Sequence, residues 1–395
     1  MSAGSSQRIL GRDPATGGAI VVTTAGGLVT AVEPAAHGET QWLSAGLVDL
    51  QVNGYAGHDL NGLTLDVATV RALCQALLKV GVTAFLPTVI TAPEARIIAA
   101  LRVIREACEQ HPEVAAMVAG IHVEGPHIAP EDGPRGAHPA ADVRPPSVAE
   151  FDRWQQAAGG LVKLVTLSPH WPEAPVYIAH LAKAGVTVSL GHTSADAAQI
   201  AAAVEAGASL STHLGNGSHA MLNRRHNHLW PQLADDRLTA MFIADGHHLT
   251  PAQLKVMSRA KGPGRSLVVS DTVALGGMAP GKYETPIGGK VVLREDGFLA
   301  IDDGTGDYLA GAALPLLASI PVLVNQVGLS LGEAFALMTS SPGRQVGGRR
   351  RRGRLTSWPY AGMARIPFLP SPGSGCGEIG WSEPGRTSIY SMPAA

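Results

Sequence analysis

From about residue 45 the chain alternates between two patterns. Short apolar, β-branched runs are separated by Ala-rich stretches whose apolar residues recur at helical spacing. The runs read as buried parallel strands, because strands covered on both faces lack the polar alternation of half-exposed ones. Candidate strands end near Val52, Thr88, Glu124, Ser168, His192, His213, Asp245 and Asp271. Helical patterns lie between them, such as VATVRALCQALLKVG and SADAAQIAAAVEAG, each finishing on a Gly just before the next strand. Gly is a common helix stop because it enters the left-handed conformation without a Cβ clash. Eight such βα units in roughly 240 residues predict a TIM (β/α)8 barrel. A doubly wound open sheet is the competing α/β fold, and it would gather its ligands at one crevice. Chemistry-bearing side chains fall here on many strand ends, which favours the closed barrel.

The flanks carry a different pattern. Residues 8–40 contain runs such as AIVVTTAGGLVTAV, broken by Gly pairs and suited to hairpins. After the barrel, KYETPIGGKVVLREDGFLAIDDG again reads as strands with Gly turns, expected to pair with the N-terminal strands in a small β-sandwich. Two helical segments follow, LPLLASIPVLVNQVG and LSLGEAFALMTSSPGRQVG. The predicted organisation is therefore an N-terminal sandwich segment at 1–44, the barrel at 45–280, and a second sandwich segment at 281–310. Residues 311–347 form C-terminal helices, and 348–395 an atypical tail. That tail has no Lys or Asp, is rich in Pro, Gly, Ser and Arg, and lacks either periodicity. Disorder is expected there. An out-of-frame reading of a GC-rich gene would give the same composition.

Composition and charge narrow the function. A net charge of −2 over 395 residues argues against nucleic acid or an anionic membrane as partner. No apolar run is long enough to span a bilayer, and the N-terminus shows no signal-peptide pattern. Cys74, Cys108 and Cys376 are odd in number and form no zinc or disulfide pattern. A cytoplasmic protein is expected.

Glu124, His192, His213 and Asp271 change the picture most. Each ends or closely follows an apolar run, in IHVE, VSLGHT, LSTHL and LVVSDT. A lone His at a strand end is usually a satisfied loop histidine, but two His, a Glu and an Asp at four strand ends are harder to explain by packing. Imidazole nitrogen and carboxylate oxygen suit one divalent cation, with zinc first and Fe2+, Mn2+ or Co2+ also compatible, leaving a position open for water. Asp271, at the last barrel strand, suits a general base on that water and then an acid on a leaving nitrogen. His127, His138, His247 and His248 are further candidates to touch substrate. For each alone, a solvated or capping role is equally open.

The motifs GLVDLQVNGYAG, GIHVEGPHI, GAHP, LGHT, THLGN, ADGHHL, VSDT and LAGAAL, in this order, resemble the N-acetylglucosamine-6-phosphate deacetylases of the amidohydrolase superfamily. The resemblance spans roughly residues 8–347. It implies metal binding by Glu124, His192 and His213, and acid/base catalysis by Asp271. It further implies carbonyl polarisation by His248, a sugar contact by His138, and a substrate wall containing Asn216 and Gly217. The implied substrate is an N-acetyl amino sugar phosphate and the implied assembly a homodimer. Two stretches depart from the pattern. Gln51 and Asn53 stand where many amidohydrolases carry His-x-His for a second metal, which favours a single ion. The segment GNGSHAMLNRRHNHLWPQ is altered where the family places a phosphate-binding Arg across the dimer interface, leaving Arg224 or Arg225 for that role. The alternatives are a deacylase of another N-acyl amino sugar or N-acyl amino acid, and an inactive sugar-binding homologue.

Overall fold

The structure is a computed structural model that describes residues 6–25, 28–36, 41–262, 264–286, 288–304, 308–346 and 363–366. Its first strands are β1 (Gln7–Arg12), β2 (Ala19–Ala25), β3 (Leu28–Pro34) and β4 (Trp42–Ala45). The barrel begins at β5 (Leu47–Val52), followed by a two-residue ribbon of β6 (Gly54–Tyr55) and β7 (His58–Asp59). It continues with β8 (Val82–Ile90), β9 (Ile121–Glu124), β10 (Val162–Leu167), β11 (Thr187–Leu190), β12 (Leu210–Ser211), β13 (Thr239–Ile243) and β14 (Ser266–Val269). These eight barrel strands are hydrogen-bonded in chain order from β5 through β8 to β14.

Closure comes from the end strands. Val52 and Thr272 form a parallel bridge. The Asp271 amide donates to the Gln51 carbonyl at 3.0 Å, and the Asn53 amide to the Thr272 carbonyl at 2.9 Å. Both edges of the sheet are thus joined, which makes it a TIM barrel as expected.

Local rules explain the helices between the strands. Helix α1 (Val67–Lys79) starts at Asp66, whose carboxylate accepts from the Thr69 amide, and buries Val70, Leu73, Cys74 and Leu77 at helical spacing. The helix Ala197–Ala206 starts with a reciprocal Asp196–Gln199 capping box and stops at Gly207, where φ is +119°.

The barrel interior is layered. Leu50, Leu86, Leu164, Leu210, Met241, Ile243, Leu267 and Val269 fill it. A polar tier accompanies them: His122 Nε2 and Thr166 Oγ1 lie 2.8 Å apart, Thr166 and Thr212 hydroxyls 2.7 Å, and Ser189 and Thr212 hydroxyls 2.5 Å. Strand β9 shows why the two chemistries coexist. His122 and Glu124 share one face by the two-residue strand period, while Ile121 and Val123 pack in the main core outside.

The flanking strands build two separate sheets. One has the order β19-β4-β1-β2-β3, with β19 (Met363–Ile366) antiparallel to β4. The other is formed by β15 (Gly281–Thr285), β16 (Gly289–Leu293), β17 (Phe298–Ile301) and β18 (Leu309–Ala312) in sequential order. A small β-domain drawing on both ends of the chain is therefore present, but its C-terminal contribution differs from expectation. Among the described residues, segment 281–310 does not pair with the N-terminal strands; β19 does. The physical reason lies at the barrel mouth. Thr272 bridges Ala312, and the Val273 amide donates to the Ala312 carbonyl at 2.9 Å, so the second sheet is anchored to the end of the last barrel strand. Val291, Leu293 and Leu299 pack there with Leu275 and Ala313. Apart from β19, the predicted tail at 348–395 lies outside the described residues.

Candidate active site

Strand ends deliver the site. Glu124 is the last residue of β9, and His192, His213 and Asp271 each follow their strand by two residues. All three of the latter adopt positive φ, at 48°, 28° and 52°. A non-glycine residue held there costs on the order of 1–3 kcal/mol. That cost turns each side chain out of the strand direction and towards the common mouth.

The His192 and His213 Nε2 atoms lie 3.0 Å apart. Glu124 Oε1 is 3.3 Å from the first and 3.0 Å from the second. One ligand atom from each of these buried residues falls within 4.8 Å of the others. The set fits a divalent cation. His192 Nδ1 faces the Pro134 carbonyl at 2.8 Å, so Nδ1 carries the proton and Nε2 offers its lone pair to the centre. Burial alone would raise the Glu124 carboxyl, but hydrogen bonds and charge from His192 and His213 outweigh it and hold Glu124 well below its usual range. A carboxylate and two histidines aimed at one point leave a position open.

Gln51 and Asn53 act as donors on the carboxylates. Gln51 Nε2 donates to Glu124 Oε1 at 2.9 Å, and Asn53 Nδ2 donates to Asp271 Oδ1 at 2.7 Å. Asp271 is raised to about 6, first by burial and then by the nearby charge of Glu124. His138 is lowered to about 3, chiefly by burial, and meets the ligand shell as a neutral ring. Its Nδ1 lies 2.7 Å from the Thr91 hydroxyl and its ring 4.4 Å from that of His192.

A cavity of about 280 Å³ joins these groups. Glu124, His138, His192, His213, Asn216, Gly217, His248 and Asp271 all line it, together with Asn53, Asp59 and Asn61. The mouth sheet closes one side with Val291, Leu299, Leu309 and Ala310. Gly217 has no room for a side chain: φ is +55°, and a Cβ would sit 2.8 Å from His192 Nδ1.

Two of the four candidate histidines fall elsewhere. His127 is buried between Trp154 and Tyr177, with ring centroids 5.4 and 5.2 Å away, and does not reach the cavity wall. His247 Nε2 faces the Asp296 carbonyl at 3.0 Å, outside the cavity. Arg224 and Arg225 are exposed and do not line their own chain's cavity. Residue type alone could not separate these from His138 and His248. Asp245 carried no expected role, although an Asp followed closely by backbone donors is a known turn signal. Asp245 Oδ2 lies 2.7 Å from His248 Nδ1.

The profile of the Amidohydrolase family matches residues 42–357. The chain belongs to the amidohydrolase family. Among curated amidohydrolase relatives, the N-acetylglucosamine-6-phosphate deacetylase of Bacillus subtilis (strain 168) is 32% identical over 316 residues, covering 80% of this chain and 78% of the relative. The N-acetylgalactosamine-6-phosphate deacetylase of Escherichia coli O157:H7 is 31% identical over 327 residues, covering 82% and 84%. A solved structure of a mutant N-acetyl-D-glucosamine-6-phosphate deacetylase from Mycobacterium smegmatis, in complex with N-acetyl-D-glucosamine-6-phosphate, aligns with a TM-score of 0.74 at 26% identity. It covers 83% of this chain and 86% of that one. No helix among the described residues is long and apolar enough to cross a membrane.

Proposed function

We propose that this amidohydrolase removes acetate from N-acetylglucosamine 6-phosphate, leaving glucosamine 6-phosphate, in amino-sugar catabolism. One observation carries the reading: three converging ligand atoms, a half-buried carboxyl at Asp271 and an imidazole at His248 share one cavity. In this reading Glu124, His192 and His213 hold one divalent ion, zinc in the first instance. When bound, such an ion supplies a more acidic water and an electrophile for the acyl oxygen.

The chain's own groups do the rest. Asp271 Oδ1, held by the Asn53 amide, takes the proton of the attacking water and returns it to the departing nitrogen. His248 donates to the acyl oxygen as negative charge develops there. His138, Asn216 and Gly217 orient the sugar. The two amides at Gln51 and Asn53 already serve the carboxylates, which supports a single ion.

The phosphate needs a cation, and the cavity wall contains no lysine or arginine among the described residues. Arg224 or Arg225 therefore serves a second protomer in a homodimer. Met221 on the same loop and Trp230 in the helix after it, 89% and 52% exposed, offer apolar surface for that contact. A cytoplasmic setting accords with unpaired Cys74 and Cys108.

Metal analysis and acetate release decide the reading. The panel is N-acetylglucosamine and N-acetylgalactosamine, each with and without 6-phosphate, plus N-acetyl amino acids. About one bound ion and preferred turnover of N-acetylglucosamine 6-phosphate are expected. Faster turnover of the galacto epimer or of an amino acid would reassign the substrate, and no acetate from any of them would make the chain a binding homologue.

A further inference from the structure

The turn after β13 treats one histidine unlike the others. Asp245 Oδ1 accepts the backbone N–H groups of His247 and His248, both at 2.9 Å. Its Oδ2 lies 2.7 Å from His248 Nδ1, and the two side chains are only 7% and 8% exposed. Burial alone would raise the Asp245 carboxyl, but the hydrogen bonds from His248 and the two amides, with the His248 charge, bring it down to about 2. Asp245 is thus an ionised acceptor, and Nδ1 must carry a proton towards it.

That geometry restricts what His248 offers the cavity it lines. A neutral imidazole has a single N–H. If Asp245 takes it, Nε2 presents a lone pair, which repels an acyl oxygen. Donation from Nε2 requires a second proton and a positive ring. Two carboxylates act on that ring: Asp245 in direct contact, and Asp271 through its electrostatic interaction with it. We propose that Asp245 is a positioning residue that pins the proton on Nδ1, so that His248 meets the acyl oxygen as an imidazolium with Nε2–H as the donor. The proposal rests on the deacetylase reading above. It goes further by assigning both the charge state of His248 and the residue that sets it.

The test uses the full-length, zinc-loaded protein and four variants: Asp245→Asn, Asp245→Glu, His248→Gln and the Asp245→Asn/His248→Gln double variant. Asp245→Asn keeps an oxygen for the two amides, so the turn is expected to hold. Its kcat should fall about 10²-fold or more, the scale of one lost oxyanion donor, with KM within about threefold. Asp245→Glu should recover roughly a tenth or more of wild-type kcat. In the His248→Gln background the same Asp245→Asn change should cost less than about twofold, because its route of action is already gone. A merely structural aspartate would instead show equal losses in both backgrounds, and that result overturns the proposal. Nitrogen-15 NMR of labelled histidines at pH 7 reads the ring directly. Both His248 nitrogens are expected to be protonated in wild type, and a bare Nε2 overturns the proposal whatever the kinetics. If wild type releases no acetate from any substrate, the deacetylase reading fails while the NMR result still decides the charge state.

Discussion

The floor of the cavity and the loop at 218–230 are built by opposite rules. On the floor, Glu124, His192 and His213 are buried and Asp271 is half-buried; all four are tied to named partners, and backbone conformation turns the last three inward. On the loop, Met221, Arg224 and Arg225 are exposed, and local contacts such as Trp230 Nε1 donating to the Arg224 carbonyl at 3.0 Å hold the turn together. In the proposed reading the floor performs acyl chemistry within one chain. The loop carries two exposed arginines that do not line its own chain's cavity. In the same reading, bond cleavage and anion recognition are separable, and each can be disturbed without the other.

The largest effects belong to the floor. His192→Ala or His213→Ala should take metal content from about one ion per chain to near zero and abolish acetate release, since two donors hold such an ion weakly. Retained stoichiometric metal in either variant would show that the ligand set is wrong. Asp271→Asn comes next. The ion should stay while kcat falls roughly 10²–10⁴-fold, the usual contribution of a general acid or base. More than about a hundredth of wild-type kcat would place the base elsewhere.

Beneath the floor, His127 gives a smaller, pH-dependent effect. Burial lowers it to about 4 from its ordinary value of 6.5. The unfolded chain therefore gains a proton below about pH 6.5 that the folded chain refuses until about pH 4. Stability contributed by the neutral ring is lost as pH falls across that window, by roughly 3 kcal/mol at most. His127→Phe should flatten that slope in urea titrations, and an unchanged slope between pH 7 and 4 would contradict it. The smallest effect is on the loop. Changing the responsible arginine to Ala should raise KM for phosphorylated substrate about tenfold, the scale of one charge-assisted hydrogen bond, without altering turnover of the unphosphorylated sugar. Equal losses on both would give the loop a structural task and collapse the contrast.

Much of the floor was legible in the sequence because strand period and ligand type coincide there. The expected strand ends at Val52, Glu124 and Ser168 fall at or beside the end of β5, β9 and β10, and His192, His213 and Asp271 lie two residues past β11, β12 and β14. What failed depended on long-range partners. Gly-punctuated strands at 281–310 announced a sheet but not its neighbour, which was decided by the Thr272–Ala312 bridge. His127 and His138 sit in similar polar motifs, and only packing sends one against Trp154 and the other against Thr91. Gln51 and Asn53 were legible as poor ligands, but their service as donors to Glu124 and Asp271 needed the folded distances.

Gly217 joins the two regions mechanically. It belongs to the loop side of the cavity, yet its missing side chain is what lets His192 keep Nδ1 on the Pro134 carbonyl. Even a methyl group there would press on the ring and tilt Nε2 away from its two companions. The loop is consequently free to drift in sequence at its tip but not at its root, and a chelator titration, insensitive to the tip, would register a change at the root as faster loss of the ion.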